Sequence, residues 1–153
     1  MKNLLLTLAA LVSALSAATA QGRGTVGLGP RLGVYAHTGG EPVYGVGVEA
    51  RVNMSDPIRI VPSLTWLFNE NCSVEMACDM HLMLRTAELW YVYPFAGVSL
   101  SDIRGWKLGL DVGLGTDYAV APRIDMSAGL KWLVRWAGRP NPVVVWLGTT
   151  FKF

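Results

Sequence analysis

The sequence predicts an all-β protein, a closed antiparallel up-and-down transmembrane β-barrel of about eight strands. Three observations carry that prediction. Long segments alternate between large apolar residues and small or charged ones, and a strand sends successive side chains to opposite faces. The chain is 52% hydrophobic with a mean hydropathy of +0.35, yet beyond Gln21 no apolar run is long enough for a spanning helix. It also carries 17 glycines, more than helical cores favour, whereas barrels use glycine for close packing and bends.

Residues 1–20 read as a secretory signal peptide. Lys2 supplies a positive start, residues 4–15 an apolar run, and Ala18-Thr19-Ala20 the small-x-small pattern that a signal peptidase cuts. That run is too short to span a bilayer as a helix. No cysteine follows it, which disfavours a lipid-anchored lipoprotein. Removal leaves one domain, residues 21–153.

Strands are expected at about 24–37, 43–54, 58–69, 79–86, 89–100, 106–118, 123–134 and 143–153. The sixth shows the pattern most cleanly. Trp106, Leu108, Leu110, Val112, Leu114 and Tyr118 form one wall, and Lys107, Gly109, Asp111, Gly113, Gly115 and Asp117 the other. The clearest runs reach ten to thirteen residues, where soluble strands average about five or six and a tilted membrane strand needs about nine to eleven. The polar wall lacks bulk, with glycine at 45, 47, 109, 113, 115 and 129. Small residues suit the inside of a narrow barrel, so the apolar wall should face outward. Trp106, Tyr118, Trp132 and Tyr44 stand near strand ends, as in the aromatic girdles at the two lipid–water boundaries. Connections around 53–57, 87–88 and 119–122 are short and share one rim; those at 38–42, 70–78, 101–105 and 135–142 share the other. Residues 81–93 admit a different division into strands. Pro62 and Pro94 fall inside strands, so each should sit at a bulge or an unpaired position.

The inward wall carries Arg31, Glu49, Arg51, Arg59, Lys107, Asp111, Asp117, Asp125 and Lys131. Both signs occur, as a narrow wet interior requires. The expectation is an ion-pair network that plugs the lumen, with a proton or small-ion path as the alternative. Eight strands leave no room for a porin channel. The formal net charge of +2 gives no reason to expect nucleic acid or acidic partners. Cys72 and Cys78 lie in the most polar stretch, and export to an oxidising compartment makes a disulfide between them the first expectation. Metal binding would need more ligands than these two and His81. His37 and His81 read as rim residues in water. Neither has a serine and a carboxylate placed beside it as a nucleophile–base set demands. No enzyme and no cofactor are therefore expected.

The last eight residues, Trp146-Leu147-Gly148-Thr149-Thr150-Phe151-Lys152-Phe153, resemble the terminal β-signal of bacterial outer-membrane barrels. Gly148, Phe151 and Phe153 match it; Trp146 stands where a polar residue is usual. Residues 93–98, Tyr-Pro-Phe-Ala-Gly-Val, are similar to a strand of the small OmpA/OmpX-like barrel domains. The resemblance implies a bacterial outer-membrane location, contact with outer-membrane lipid, and insertion by the barrel-assembly machinery, which reads the terminal strand. It implies a structural or surface-interaction role and names no surface partner. A lipid-modifying outer-membrane enzyme and a soluble periplasmic ligand-binding barrel are the alternatives.

Overall fold

A computed structural model describes residues 26–69, 72–103, 105–136 and 140–153. The signal peptide expected over 1–20, and the first residues of the expected first strand, lie outside the described residues. The strands are β1 (Val26–Ala36), β2 (Val43–Ser55), β3 (Ile58–Phe68), β4 (Ser73–Leu82), the two-residue β5 (Leu84–Arg85), β6 (Trp90–Ser101), β7 (Lys107–Ala121), β8 (Ile124–Arg135) and β9 (Val143–Lys152). All pairings are antiparallel. They run β4-β3-β2-β1-β9-β8-β7-β6-β5, and a further β4–β6 pairing closes the sheet on itself. β5 pairs with β6 in the register that β4 already holds, Leu84 opposite Val92 where His81 opposes Phe95. It is the tail of β4, and the barrel has eight strands. Closure is the physical answer to a sheet whose edges could not be left bare in hydrocarbon.

The prolines explain where the ladder breaks. Between β4–β5 and β6 the pairing lapses at Pro94. Between β2 and β3 it lapses at Pro62, and between β1 and β9 at Pro30. The register is the same on both sides of each gap. A proline has no N–H to give, so each gap is one missing ladder bond. Pro62 and Pro94 thus occupy unpaired positions on one flank, as expected; the third break, at Pro30, is an addition. The two register shifts, at 53–55 and 119–121, lie at the short-turn rim instead.

Burial is inverted relative to a soluble protein. Leu32, Val98, Val112, Leu114, Leu130, Val145 and Leu147 are exposed on the outer wall. Exposed Tyr44, Phe68, Trp106 and Trp136 ring the loop rim, and Trp90, Tyr118, Phe151 and Phe153 ring the turn rim. Trp90 and Tyr118 touch, with centroids 4.9 Å apart. Trp106, immediately before β7, and Tyr118 on it lie twelve residues apart. At about 3.3 Å rise and a tilt of about 40°, that separates the rings by roughly 30 Å of height.

Three expectations need correction. The fourth strand spans Ser73–Leu82, not 79–86, and the polar stretch expected to be a loop is mostly strand. Ser73, Glu75, Ala77, Asp79 and His81 point inward, while Val74, Met76, Cys78, Met80 and Leu82 point outward. This removes the disulfide: Cys72 and Cys78 are free and exposed. Cys72 precedes β4, and the extended steps from Ser73 to Cys78 alone span about 16 Å, whereas a bridge needs less than about 7 Å between Cα atoms. His81 is not a rim residue in water but a buried one.

The barrel interior as candidate functional site

Alternation on eight tilted strands aims one residue in two at a common axis, so the inward wall becomes the site. On the turn side, Glu49, Arg51, Asp117 and Arg59 form a chain of ion pairs. Arg51 Nη2 donates to Glu49 Oε1 at 2.6 Å, and Arg51 Nη1 to Asp117 Oδ2 at 3.0 Å. Arg59 Nη1 donates to the same Asp117 oxygen at 2.6 Å. Tyr93 Oη donates to the other Asp117 oxygen at 3.0 Å. Arg31 lies 3.8 Å from Glu49 Oε2 and stacks its guanidinium 4.7 Å above the Trp146 ring. On the loop side, Lys131, fully buried, donates to Glu75 at 2.8 Å and to Asp111 at 3.0 Å. Tyr35 donates to Glu75 at 3.1 Å and Ser99 to Asp111 at 2.5 Å. At the turn rim Lys152 pairs with Asp125 at 2.8 Å.

Between these charges lies an aromatic layer. Tyr93, Phe95 and Trp146 form a buried cluster against which Met83 packs. His81 stacks on Tyr93 with centroids 4.5 Å apart. Glycines on neighbouring strands make room. Gly115 opposes Tyr93, Gly113 opposes Phe95, and Gly129 opposes Trp146. A Cβ at Gly129 would sit 2.7 Å from the indole, so glycine there is a steric requirement. A second apolar cluster, Tyr35, Val43, Leu67, Ile103, Leu133 and Val144, lies beneath the loops. Open cavities occur at the two ends. One of about 580 Å³ lies among Thr38, Glu41, Phe68, Asp102 and Ile103; one of about 480 Å³ reaches Arg59, Asp117 and Asp125 from the turn rim.

Of the nine charges expected inside, eight are buried together: Arg31, Glu49, Arg51, Arg59, Asp111, Asp117, Asp125 and Lys131. Lys107 is only half-buried, because it opens β7 at the loop rim. Glu75, Asp79, His81 and Arg135 join the interior unforeseen. The signal for the first three was present in the alternation of Ser73–Leu82, hidden by the polar residues before it. Trp146 points inward, which accounts for its standing at a usually polar position: it faces the arginine of β1. Gly148 lies between Arg31 and Ser127, while Phe151 and Phe153 face out at the turn rim. His37, at φ 58°, is exposed at the loop rim.

An eight-stranded closed barrel with charges inside and two aromatic rings outside defines the fold class of the small transmembrane β-barrels. More narrowly, the chain has the fold of the small bacterial outer-membrane barrels. No family model matches the sequence, and no curated protein matches it. Among solved structures it is similar to Neisserial surface protein A, with a TM-score of 0.67 at 19% identity over 84% of this chain and 96% of that one. It is similar to the N-terminal β-barrel domain of Pseudomonas aeruginosa OprF, with a TM-score of 0.66 at 13% identity over 86% and 98%. A de novo designed transmembrane β-barrel gives 0.65 at 14% identity over 86% and 97%.

Proposed function

We propose that this chain is an integral protein of a bacterial outer membrane with a structural or surface-interaction role, not an enzyme, and that its own side chains plug its lumen. The carrying observation is the inversion of burial. Lys131, Asp111, Glu49 and Arg51 are buried while Leu32, Val112, Leu114 and Leu147 are exposed, and a wall of that kind is stable against lipid and costly against water. The same wall opposes a soluble periplasmic ligand-binding barrel. Outer-membrane lipid is the first partner, held between the two aromatic rings. The barrel-assembly machinery is the second, reading Gly148, Phe151 and Phe153 on β9, the strand that closes the barrel onto β1. The crossing ion pairs and the Tyr93–Phe95–Trp146 layer fill the axis, which favours a plug over a wide pore. Against a lipid-modifying enzyme stands the packing of His81 between aromatic rings, its Nδ1 without a partner.

The test is expression of the full chain in a Gram-negative host. The protein should fractionate with the outer membrane and migrate faster unboiled than boiled. In planar bilayers it should give no conductance steps of porin size. Recovery in the detergent-free periplasmic fraction would overturn the membrane reading, and porin-sized steps would overturn the plug.

A further inference from the structure

We infer that the loop-side half of the lumen binds one small monovalent cation, a proton or an alkali ion, at the Asp79 carboxylate. This rests on the closed, charged interior proposed above and adds a ligand to it. Asp79 is 3% exposed on the inner face of β4, between Val61 of β3 and Gly97 of β6. Its Oδ1 has no hydrogen-bond partner, and no ion pair joins Asp79 among the described residues. That oxygen rests against Gly97, where an added Cβ would collide with it.

The neighbours do not supply the missing charge. Asp111 of β7 flanks the other side of Gly97, so two carboxylates face the lumen across one glycine, about 10 Å apart at Cα by two interstrand spacings. Glu75 stands on the same strand, and its Oε2 also lacks a partner. The charges acting on Asp79 are Lys131, Asp111, Arg31 and Glu75. Lys131 of β8 is engaged with Glu75 and Asp111. Arg31 of β1 is engaged with Ser63, Glu49 and the Trp146 ring. β3 offers the hydroxyls of Ser63 and Thr65, and on β6 the Ser99 hydroxyl already serves Asp111. His81, next inward on β4, is stacked on Tyr93. Among the described residues Lys131 is the one cation paired with Glu75 and Asp111; Arg135 of β8, also buried, donates to the Ile103 carbonyl and acts on Glu75 but not on Asp79, which keeps no cation of its own. A buried carboxylate is not held ionised without a partner, so a positive charge must join it. One unpaired carboxylate carries one unit of negative charge, so a univalent cation is what balances it.

The experiment uses the folded protein purified from membranes in detergent. The unfolded-to-folded ratio is measured by urea titration for wild type, Asp79→Asn and the control Asp125→Asn. One arm varies pH in choline chloride; the other replaces choline by sodium or potassium at constant ionic strength. If a proton is bound, the wild-type ratio rises with pH more steeply than that of D79N, by up to tenfold per pH unit. If an alkali ion is bound, the wild-type ratio falls by up to tenfold per tenfold rise in that ion while D79N stays flat. D125N should follow wild type in both arms. Parallel behaviour of wild type and D79N in both arms overturns the site. Should D79N fail to fold, infrared absorption of a protonated carboxyl and sodium-ion relaxation are read on wild type alone, and absence of both overturns it. A chain that shows no heat-modifiable barrel fails the earlier proposal instead, so the two failures are distinct.

Discussion

Lys131 shows how much one buried side chain carries. It has no exposed surface, and its ammonium is shared by Glu75 and Asp111 from two other strands. Removing one partner of a buried pair leaves uncompensated charge and costs roughly 3–5 kcal/mol. Lys131→Met should lower the unfolding free energy in micelles by about that amount, and adding Asp111→Asn to it should return part of the loss in a double-mutant cycle. Lys152 offers the contrast. Its side chain is 30% exposed at the turn rim, where solvent screens the pair with Asp125, so Lys152→Met should cost less than about 1 kcal/mol. Equal losses at both positions would remove the distinction between interior and rim. At this scale the sequence was a good guide wherever alternation was unbroken. Asp111, Asp117, Asp125 and Lys131 are legible because glycine or serine separates them on one face. What could not be read is which partner each one takes. Arg51 finds Asp117 from a strand 66 residues away, a choice set by barrel tilt and not by local pattern. Aromatics turned inward were equally hidden, because Trp146 and Tyr93 look like girdle residues until their opposing glycines are known.

Among the elements, the proline gaps deserve a physical test because they recur in three ladders. At Pro94 the β4–β5 and β6 strands keep one register across the gap, so only a donor is absent. In that register the N–H that Pro94 lacks would face the carbonyl of Leu82. Pro94→Ala should restore the bond, joining β4 and β5 into one strand. A backbone hydrogen bond nets about 0.5–1.5 kcal/mol, more where water is scarce, against a smaller loss from a freer unfolded chain. The expected outcome is a net stabilisation on the order of 1 kcal/mol, with slower amide exchange at Met83 and Leu84. Faster exchange at those amides would show that proline shapes the strand and does not merely interrupt it. Seven of the eight strands were legible to within a few residues, because length and period coincide in them. β4 was misplaced because the stretch from Asn69 to Asp79 reads as polar, while its charges from Ser73 on lie on the lumenal face of a strand. A rule that reads charge as loop fails in a barrel whose interior is polar.

For the molecule as a whole, the decisive question is what the outer wall faces, and a single substitution can answer it. Val112 of β7 sits midway between Trp106 and Tyr118 and is 52% exposed. Val120 lies beyond Tyr118 at the turn rim and is 53% exposed. Counted by exposure alone the two are equivalent, and in a water-soluble barrel an arginine at either would change stability by no more than about 0.5 kcal/mol. In a bilayer depth separates them. Arginine at the midplane of a lipid-facing wall costs roughly 2–4 kcal/mol, falling to about 0–1 near the interface. Val112→Arg should therefore destabilise the barrel folded into lipid vesicles by that larger amount, and Val120→Arg by little, as read from urea titrations of tryptophan fluorescence. Both substitutions should be mild when the barrel is held in a short-chain detergent that lets water approach the wall. The fold was legible from the sequence for the reason that makes this test sharp. Glycine and charge alternate with leucine and valine over lengths that suit a tilted crossing of a bilayer, and the bulky side chains stand on the outer wall.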